Sequence, residues 1–167
     1  MKKKSFTLIE LLIVIALLGV LAVVSIAALD PFEQLKKAAD TGVRNTVSEV
    51  HGAIIRYYAV RGNMPWTSDS IGPIDLSSGF NQVGIERIIE TGELKTDFSA
   101  LAGGDRLRKI TVVGTKESVT VCFRPESKSF RSDPNTKYDS AGREKGTGAN
   151  TCGPTNSDSF SCYWCVK

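Results

Sequence analysis

A long apolar run near the N-terminus constrains this chain more than any other feature. Residues 11–29 carry no charged side chain. As a helix rising about 1.5 Å per residue, they would span roughly 28 Å, close to the thickness of the hydrocarbon core of a bilayer. Lys2, Lys3 and Lys4 precede the run, so the positive-inside rule places the N-terminus in the cytoplasm and the rest of the chain outside. The run predicts a single-pass membrane helix.

Glu10 is a lone carboxylate within the first turns of the apolar segment that starts at Phe6. A charge is costly in hydrocarbon, so an intramembrane carboxylate is by default a candidate functional residue with a dedicated partner. The alternative is a glutamate near the cytoplasmic boundary of the membrane that reaches water and has no partner. Glu10 is therefore the first candidate site residue.

Two common kinds of apolar N-terminal segment compete as explanations. A cleaved signal peptide has an apolar region of about 7–15 residues and a small-x-small cleavage site, for which Ser25-Ile26-Ala27 would serve. A plain uncleaved anchor needs only the length. The run is too long for the signal peptide, and Glu10 is out of place inside it.

A second helical pattern follows the membrane run. Apolar residues recur every three or four positions from Phe32 to Tyr58, with charged residues largely on other faces. Asp30 and Pro31 suit the N-cap and first turn, and the segment 61–65 supplies a stop. We predict an amphipathic helix over residues 30–62.

The remainder, residues 63–167, predicts a small mixed domain. Residues 65–79 are rich in loop formers, and residues 83–90 favour a short helix. Two β-branched segments, 107–113 and 118–124, are separated by a hairpin-length connection. Further strands are expected at 128–131 and 160–166, and the polar segment 132–159 shows no periodicity. The predicted fold class is α+β, with a small antiparallel sheet packed on the amphipathic half of the long N-terminal helix.

All four cysteines, Cys122, Cys152, Cys162 and Cys165, lie in the predicted exported part. An even number outside the cytoplasm favours two disulfides, with three possible pairings. Cys162 and Cys165 form a CxxC motif, which also occurs in redox and zinc sites. However, no helix follows the motif to lower a thiol pKa, and the other two cysteines form no second CxxC.

The string Ser5-Phe6-Thr7-Leu8-Ile9-Glu10-Leu11-Leu12-Ile13-Val14-Ile15-Ala16 resembles the N-terminus of type IV pilins and of the related pseudopilins of type II secretion. The resemblance implies that a prepilin peptidase cuts between Ser5 and Phe6 and methylates the new amino group of Phe6. Glu10 then becomes the fifth mature residue, where the family carries a glutamate. Two positions differ from the common pattern, since Ser5 replaces the usual Gly and Ala27 stands where many members have Pro.

The resemblance also implies a domain organisation and a pilin-like fold. Residues 1–5 would be the leader, 6–29 the transmembrane and assembly helix, 30–62 its amphipathic continuation, and 63–167 the exported head. Pilin-like proteins often close a C-terminal loop with a disulfide. We therefore expect Cys122 to pair with one of the three late cysteines.

Three functions follow from these features. The first is a subunit of a type IV pilus-like filament, and the second is a pseudopilin of a secretion or DNA-uptake system. The third is an anchored or secreted disulfide-bonded binding domain that does not polymerise. For the first two, the resemblance implies as partners further copies of the chain, the prepilin peptidase, a platform protein in the inner membrane and an assembly ATPase. The chain would be stored in the prokaryotic cytoplasmic membrane and then reside in an extracellular or periplasmic filament.

Other kinds of site have little support in the sequence. No basic tract lies outside the leader, so there is no direct signal for nucleic-acid binding. His51 is the single histidine, and no catalytic constellation or phosphate-binding loop is evident, so we expect no enzyme activity and no cofactor. Asp133, Asn135 and Asp139 alternate as calcium ligands do, but Lys137 interrupts them and favours a solvated loop.

Intact-mass spectrometry of the purified protein separates the three explanations of the N-terminus. We expect a chain that begins at methylated Phe6. A chain beginning at Ala28 would instead indicate signal-peptide cleavage, and one beginning at Met1 a plain anchor.

Overall fold

The computed structural model describes residues 6–28, 30–145 and 162–167 of the 167-residue chain. Its chain divides into two units, Met1–Leu35 and Lys36–Lys167. Helix α1 (Leu8–Ala28) lies in the first unit, and helix α2 (Pro31–Arg61) begins there and enters the second. The long helix and small antiparallel sheet confirm the predicted α+β, pilin-like fold class.

The boundaries of α2 follow the predicted cap and stop signals. The Glu33 backbone N–H donates to Oδ1 of Asp30 at 3.3 Å, so Asp30 caps the helix before Pro31. At the other end, Gly62 adopts a positive φ of 73°, a conformation that glycine reaches at low cost. The chain therefore enters and leaves α2 as the sequence predicts.

The second unit is built on a five-stranded sheet whose neighbouring strands are all antiparallel, in the order β1-β2-β3-β5-β4. Its strands are β1 (Ser70–Asp75), β2 (Ile110–Thr115), β3 (Val119–Phe123), β4 (Thr136–Tyr138) and β5 (Tyr163–Val166). Short helices connect or flank them: α3 (Phe80–Val83), α4 (Ile85–Glu90), α5 (Phe98–Ala102), α6 (Gly104–Leu107) and α7 (Lys128–Arg131).

The core of this unit lies between α2 and one face of the sheet. Val43, Val47, Val50 and Ile54 of α2 are buried together with alternate residues of β2 and β3 such as Val112 and Val121. The spacing of the four α2 residues at three or four positions explains why one helix face is covered, as the periodicity predicts. The apolar face predicted from Phe32 onward is covered only in part, since Phe32 and Leu35 are exposed in the first unit.

Several elements differ from the predictions. Residues 128–131 form helix α7 and not a strand, because the Ser127 hydroxyl accepts a hydrogen bond from the Phe130 N–H and so caps a helical turn. Strand β1 lies where a loop was expected, since Gly72 and Pro73 suggest turns. As an edge strand with an irregular register between Ile71 and Ile74, it tolerates a proline.

Other differences concern boundaries. The expected helix at residues 83–90 is two helices, α3 and α4, which meet at Gly84 with a φ of 77°. The strand expected to start at residue 107 starts at Ile110, because Leu107 ends α6. Strand β4 lies in the segment expected to be irregular.

A buried carboxylate joins α2 to the chain that leaves β3. Asp40 is 1% exposed, and its oxygens accept hydrogen bonds from the backbone N–H groups of Glu126 and Ser127 and from the Ser127 hydroxyl, at 2.6–3.2 Å. A buried carboxylate is stabilised when nearby donors form hydrogen bonds with it, as these three groups do. The contact spans 86 and 87 residues of sequence, so it links two distant parts of the fold.

Asp40→Ala should lower the free energy of unfolding of the second unit by about 2–3 kcal/mol, because three donors, two of them buried, lose their acceptor. The measurement is a denaturant titration of the full chain in detergent micelles, followed by near-UV circular dichroism. Asp105→Ala, which removes an exposed ion pair with Arg108, is the matched control and should change the midpoint little. Equal midpoints for the two variants would contradict the role assigned to Asp40.

Candidate functional site

The N-terminal site begins with an exposed, apolar helix. Helix α1 is long and apolar enough over Leu8–Ile26 to cross a membrane, and none of that window is buried within the protein. Its apolar side chains are exposed around the whole circumference, as for a helix that needs a surrounding apolar environment. Helix α1 therefore presents an apolar surface on all sides, which is compatible with a membrane.

Thr7 and Glu10 form a reciprocal hydrogen-bonded cap at the start of α1. The Thr7 backbone N–H and hydroxyl each donate to Oε2 of Glu10 at 2.8 Å, and the Glu10 N–H donates to the Thr7 hydroxyl at 3.3 Å. This is a capping box, in which a threonine N-cap and a glutamate three residues later satisfy each other's backbone donors. A negative charge at this end also interacts favourably with the helix dipole.

The capping box was not predicted, although its sequence signal is visible. Thr-x-x-Glu directly before an apolar run is the signature of such a cap, and residues 7–10 show it. From the sequence, Glu10 is expected to contact another chain or water. The structure adds a third role within the chain.

The cap uses one oxygen of Glu10 more than the other. Both Thr7 donors reach Oε2, and the described residues provide no donor to Oε1. A carboxylate has about four acceptor sites, so the cap leaves room for a further cation. Phe6 is 79% exposed and lies just before the cap. Ser5, the other residue of the expected cleavage site, lies outside the described residues.

The C-terminal cysteines are the second predicted site. Cys122 of β3 and Cys165 of β5 face each other in the antiparallel register and form a disulfide. The expected bond between Cys122 and a late cysteine is thus formed by Cys165, because strand pairing brings these two residues together. Cys162 is also disulfide-bonded, and Cys152 lies outside the described residues.

Of the remaining candidates, Asp133 and Asp139 form local hydrogen bonds, whereas His51 lies partly buried on α2. Burial lowers the pKa of His51, and its Nε2 is buried without a hydrogen-bond partner in the described structure. Asp133 accepts a hydrogen bond from the Asn135 N–H at 2.8 Å, and Asp139 accepts from Ala141 and Arg143. Burial raises the pKa of Asp139, but these hydrogen bonds outweigh it and bring the pKa below its ordinary value.

The described residues do not form a metal site. Among them, no group of three or more His, Cys, Asp or Glu residues is arranged to hold a metal ion. The carboxylates of Asp133 and Asp139 are instead occupied by turn hydrogen bonds.

Comparison with known protein families gives one match. Residues 1–26 match the family model described as the prokaryotic N-terminal methylation motif. This confirms the resemblance of the N-terminus and is consistent with the type IV pilin and pseudopilin family. It points to a structural protein whose precursor is anchored in a membrane by α1. No curated protein and no solved structure matches the chain.

Thr7→Val should loosen the first turn of α1, because valine keeps the branched shape of threonine but provides no hydroxyl for the cap. Loss of an N-cap costs about 1 kcal/mol, so exchange of the hydrogen-bonded amides of Glu10 and Leu11 should become about fivefold faster. The measurement is exchange by NMR on the full chain in micelles. Thr7→Ser keeps the hydroxyl and should exchange like the parent, and equal rates in the two variants would refute the cap.

Proposed function

We propose that this protein is the structural subunit of a type IV pilus-like filament. The observation that carries the proposal is the N-terminal methylation motif, residues 1–26, with Glu10 at the start of an exposed apolar helix. In this proposal a prepilin peptidase cuts between Ser5 and Phe6, methylates Phe6, and leaves a chain that polymerises through α1.

Assembly exchanges one apolar environment for another. Lipid chains are about as apolar as the leucines and valines of α1, so transfer of the helix from the bilayer to a bundle of copies yields little hydrophobic free energy. Specificity must therefore come from polar contacts. The platform protein and the assembly ATPase would supply the work of extraction.

Glu10 provides the specific contact. Cleavage creates a positive amino group at Phe6. The Oε1 oxygen of Glu10, which the cap does not use, can accept a hydrogen bond from this amino group in an adjacent copy. In a helix bundle of low dielectric constant this attraction is much stronger than in water, and an unpaired Glu10 is strongly disfavoured. The pairing of Glu10 with the Phe6 amino group therefore favours one axial offset between neighbouring subunits.

Charge balance supports close packing of copies. The chain has 21 basic and 18 acidic side chains, and removal of the lysines of the leader leaves 18 of each. A subunit without net side-chain charge approaches its copies without strong repulsion. The exposed Phe32 and Leu35 extend the apolar surface of α1 into the first turns of α2.

We also propose that the protein has no enzyme activity. The described cysteines, Cys122, Cys162 and Cys165, are all in disulfides, and His51 is a partly buried side chain on α2 whose pKa is lowered by burial. The head then serves as the exposed part of the filament.

Glu10→Ala should leave membrane insertion intact but reduce the filament fraction at least about tenfold, since the loss of about 1.4 kcal/mol per subunit contact corresponds to a factor of ten. The measurement compares the subunit in sheared filaments with the subunit in membranes. Glu117→Ala, in the β2–β3 turn, is the matched control with an exposed glutamate.

Normal filament yield from Glu10→Ala would refute the role of Glu10 in assembly. A parent chain that never leaves the membrane fraction would refute the filament proposal itself. Filaments confined to the periplasm would assign the chain to the pseudopilins instead.

A further inference from the structure

Basic side chains gather on the second unit beside the first turns of α2. Glu126 lies at their centre, because its backbone N–H donates to the Asp40 carboxylate of α2 at 3.1–3.2 Å and its own carboxylate lies 2.8 Å from the Lys109 ammonium. The pKa of Glu126 is lowered, first by the hydrogen bond from Lys109 and further by the positive charges of Arg124 and Lys36. Three cations from separate parts of the chain therefore surround one carboxylate.

Three segments of the chain supply what we call the basic cluster, which comprises residues 36–44, 105–109 and 124–133. The second segment meets the first where the Arg106 guanidinium packs on Gly42, since a Cβ at that glycine would lie 3.4 Å from Cζ of Arg106. The third meets the first where Cζ of Arg44 lies 6.0 Å from the centroid of the Phe130 ring. The cluster is therefore assembled by the fold, although the sequence outside the leader contains no basic tract.

The basic cluster is strongly charged in a chain that is otherwise balanced. Its residues include nine basic and four acidic side chains, which gives a net charge of +5, whereas the chain after the leader has 18 of each. The cavity next to Arg106 adds Glu49 and Lys95, whose charges offset each other. The excess of positive charge remains whichever ion pairs form within the cluster.

The opposite end of α2 has a different charge pattern. There, Arg56 pairs with Glu93 at 2.6 Å, and Lys116 pairs with Asp69 at 2.8 Å. Gly62, which follows α2, lies about 27 Å of helix beyond the basic cluster at 1.5 Å per residue. The second unit is therefore electrically polarised along α2, with its positive end at the start of the helix.

The chain connection keeps this positive end close to the end of α1. The membrane-compatible window ends at Ile26, and α2 begins at Pro31. Five extended residues span at most about 17 Å, and the helical rise from Pro31 to Lys36 adds about 7.5 Å. Lys36 can therefore lie no more than about 25 Å from the end of the window.

We propose that the basic cluster binds anionic phospholipid headgroups of the leaflet from which the chain emerges. Headgroup phosphates accept hydrogen bonds from Lys and Arg, and each such cation near an anionic membrane surface strengthens binding about fivefold. Because α1 already holds the chain at the bilayer, the local concentration of headgroups is high and weak contacts suffice. The contact requires α1 to lie in a bilayer but does not require polymerisation.

A nucleic acid would offer the same phosphate chemistry to the basic cluster. The connection to α1 favours the lipid, because a bilayer that holds α1 is always within reach of Lys36, whereas a nucleic acid has to be captured from solution. Binding to DNA is therefore the alternative that the experiment must separate.

The two tryptophans report on the two ends of α2. Trp164 lies beside Arg44, whose Cζ is 5.0 Å from the centroid of one indole ring, and Trp66 shares a cavity with Gly62. The full chain, labelled with ¹⁵N at the indoles, is placed in nanodiscs that carry a trace of lipid with gadolinium at the headgroup. The discs contain phosphatidylcholine alone or with about 30% phosphatidylglycerol, which makes the surface anionic. We expect the indole N–H of Trp164 to relax at least about threefold faster in the anionic discs than in the neutral ones, and that of Trp66 to change little.

The double variant Arg108→Gln with Arg124→Gln should weaken docking about 25-fold, since each lost cation costs about fivefold. In anionic discs, Trp164 of this variant should then relax as it does in neutral discs. Arg61→Gln with Lys116→Gln removes the same charge outside the basic cluster and should behave like the parent. Unchanged indole chemical shifts of both variants in neutral discs would show that the fold is intact.

Four results would overturn the proposal. They are equal relaxation of Trp164 in anionic and neutral discs, equal effects of the two double variants, persistence of the faster relaxation in about 1 M NaCl, where the Debye length is about 3 Å, and a response to a DNA duplex but not to anionic lipid. Filament yield plays no part in these measurements, so their outcome is distinct from that of the assembly test.

Discussion

The organisation of the N-terminal region depends on how one carboxylate is satisfied in an apolar helix. Glu10 lies in the first turn of the apolar helix α1, and a charge among apolar side chains requires hydrogen bonds or a counter-charge. Thr7 supplies two of these hydrogen bonds through Oε2. The cap makes the isolated helix start well defined and still leaves acceptor capacity for an ammonium group. In the proposed filament, the same residue would cap its own helix and accept a hydrogen bond from a neighbouring copy.

A second carboxylate has the same requirement in the head. Asp40 is buried and receives backbone and hydroxyl hydrogen bonds from Glu126 and Ser127. It fixes α2 to the segment between β3 and α7, while the Cys122–Cys165 disulfide fixes β3 to the C-terminal strand. The hydrogen bonds of Asp40 therefore hold the chain after β3 to α2, and the disulfide holds the C-terminal strand β5 to β3.

The elements that were predicted correctly are those with a strong local signal. The apolar period of α2, its Asp30 cap and Gly62 stop, and the β2–β3 hairpin all depend on neighbouring residues. The wrong or missing elements have either a weaker local signal or a partner far along the chain. Residues 128–131 are helical because Ser127 caps them, and the edge strand β1 contains the Gly72 and Pro73 that normally indicate a turn. The Thr7–Glu10 cap was not predicted, although its Thr-x-x-Glu spacing is a local signal.

The sequence alone determined the membrane-compatible helix, the methylation motif around Phe6 and the α+β class, because length, hydrophobic period and capping residues act within a few positions. Tertiary structure decided which late cysteine joins Cys122, which donors surround Asp40, and which scattered basic side chains meet beside Glu126. Each of these is a contact between residues far apart in the chain. Strand register and helix placement set such contacts, and no single segment contains that information.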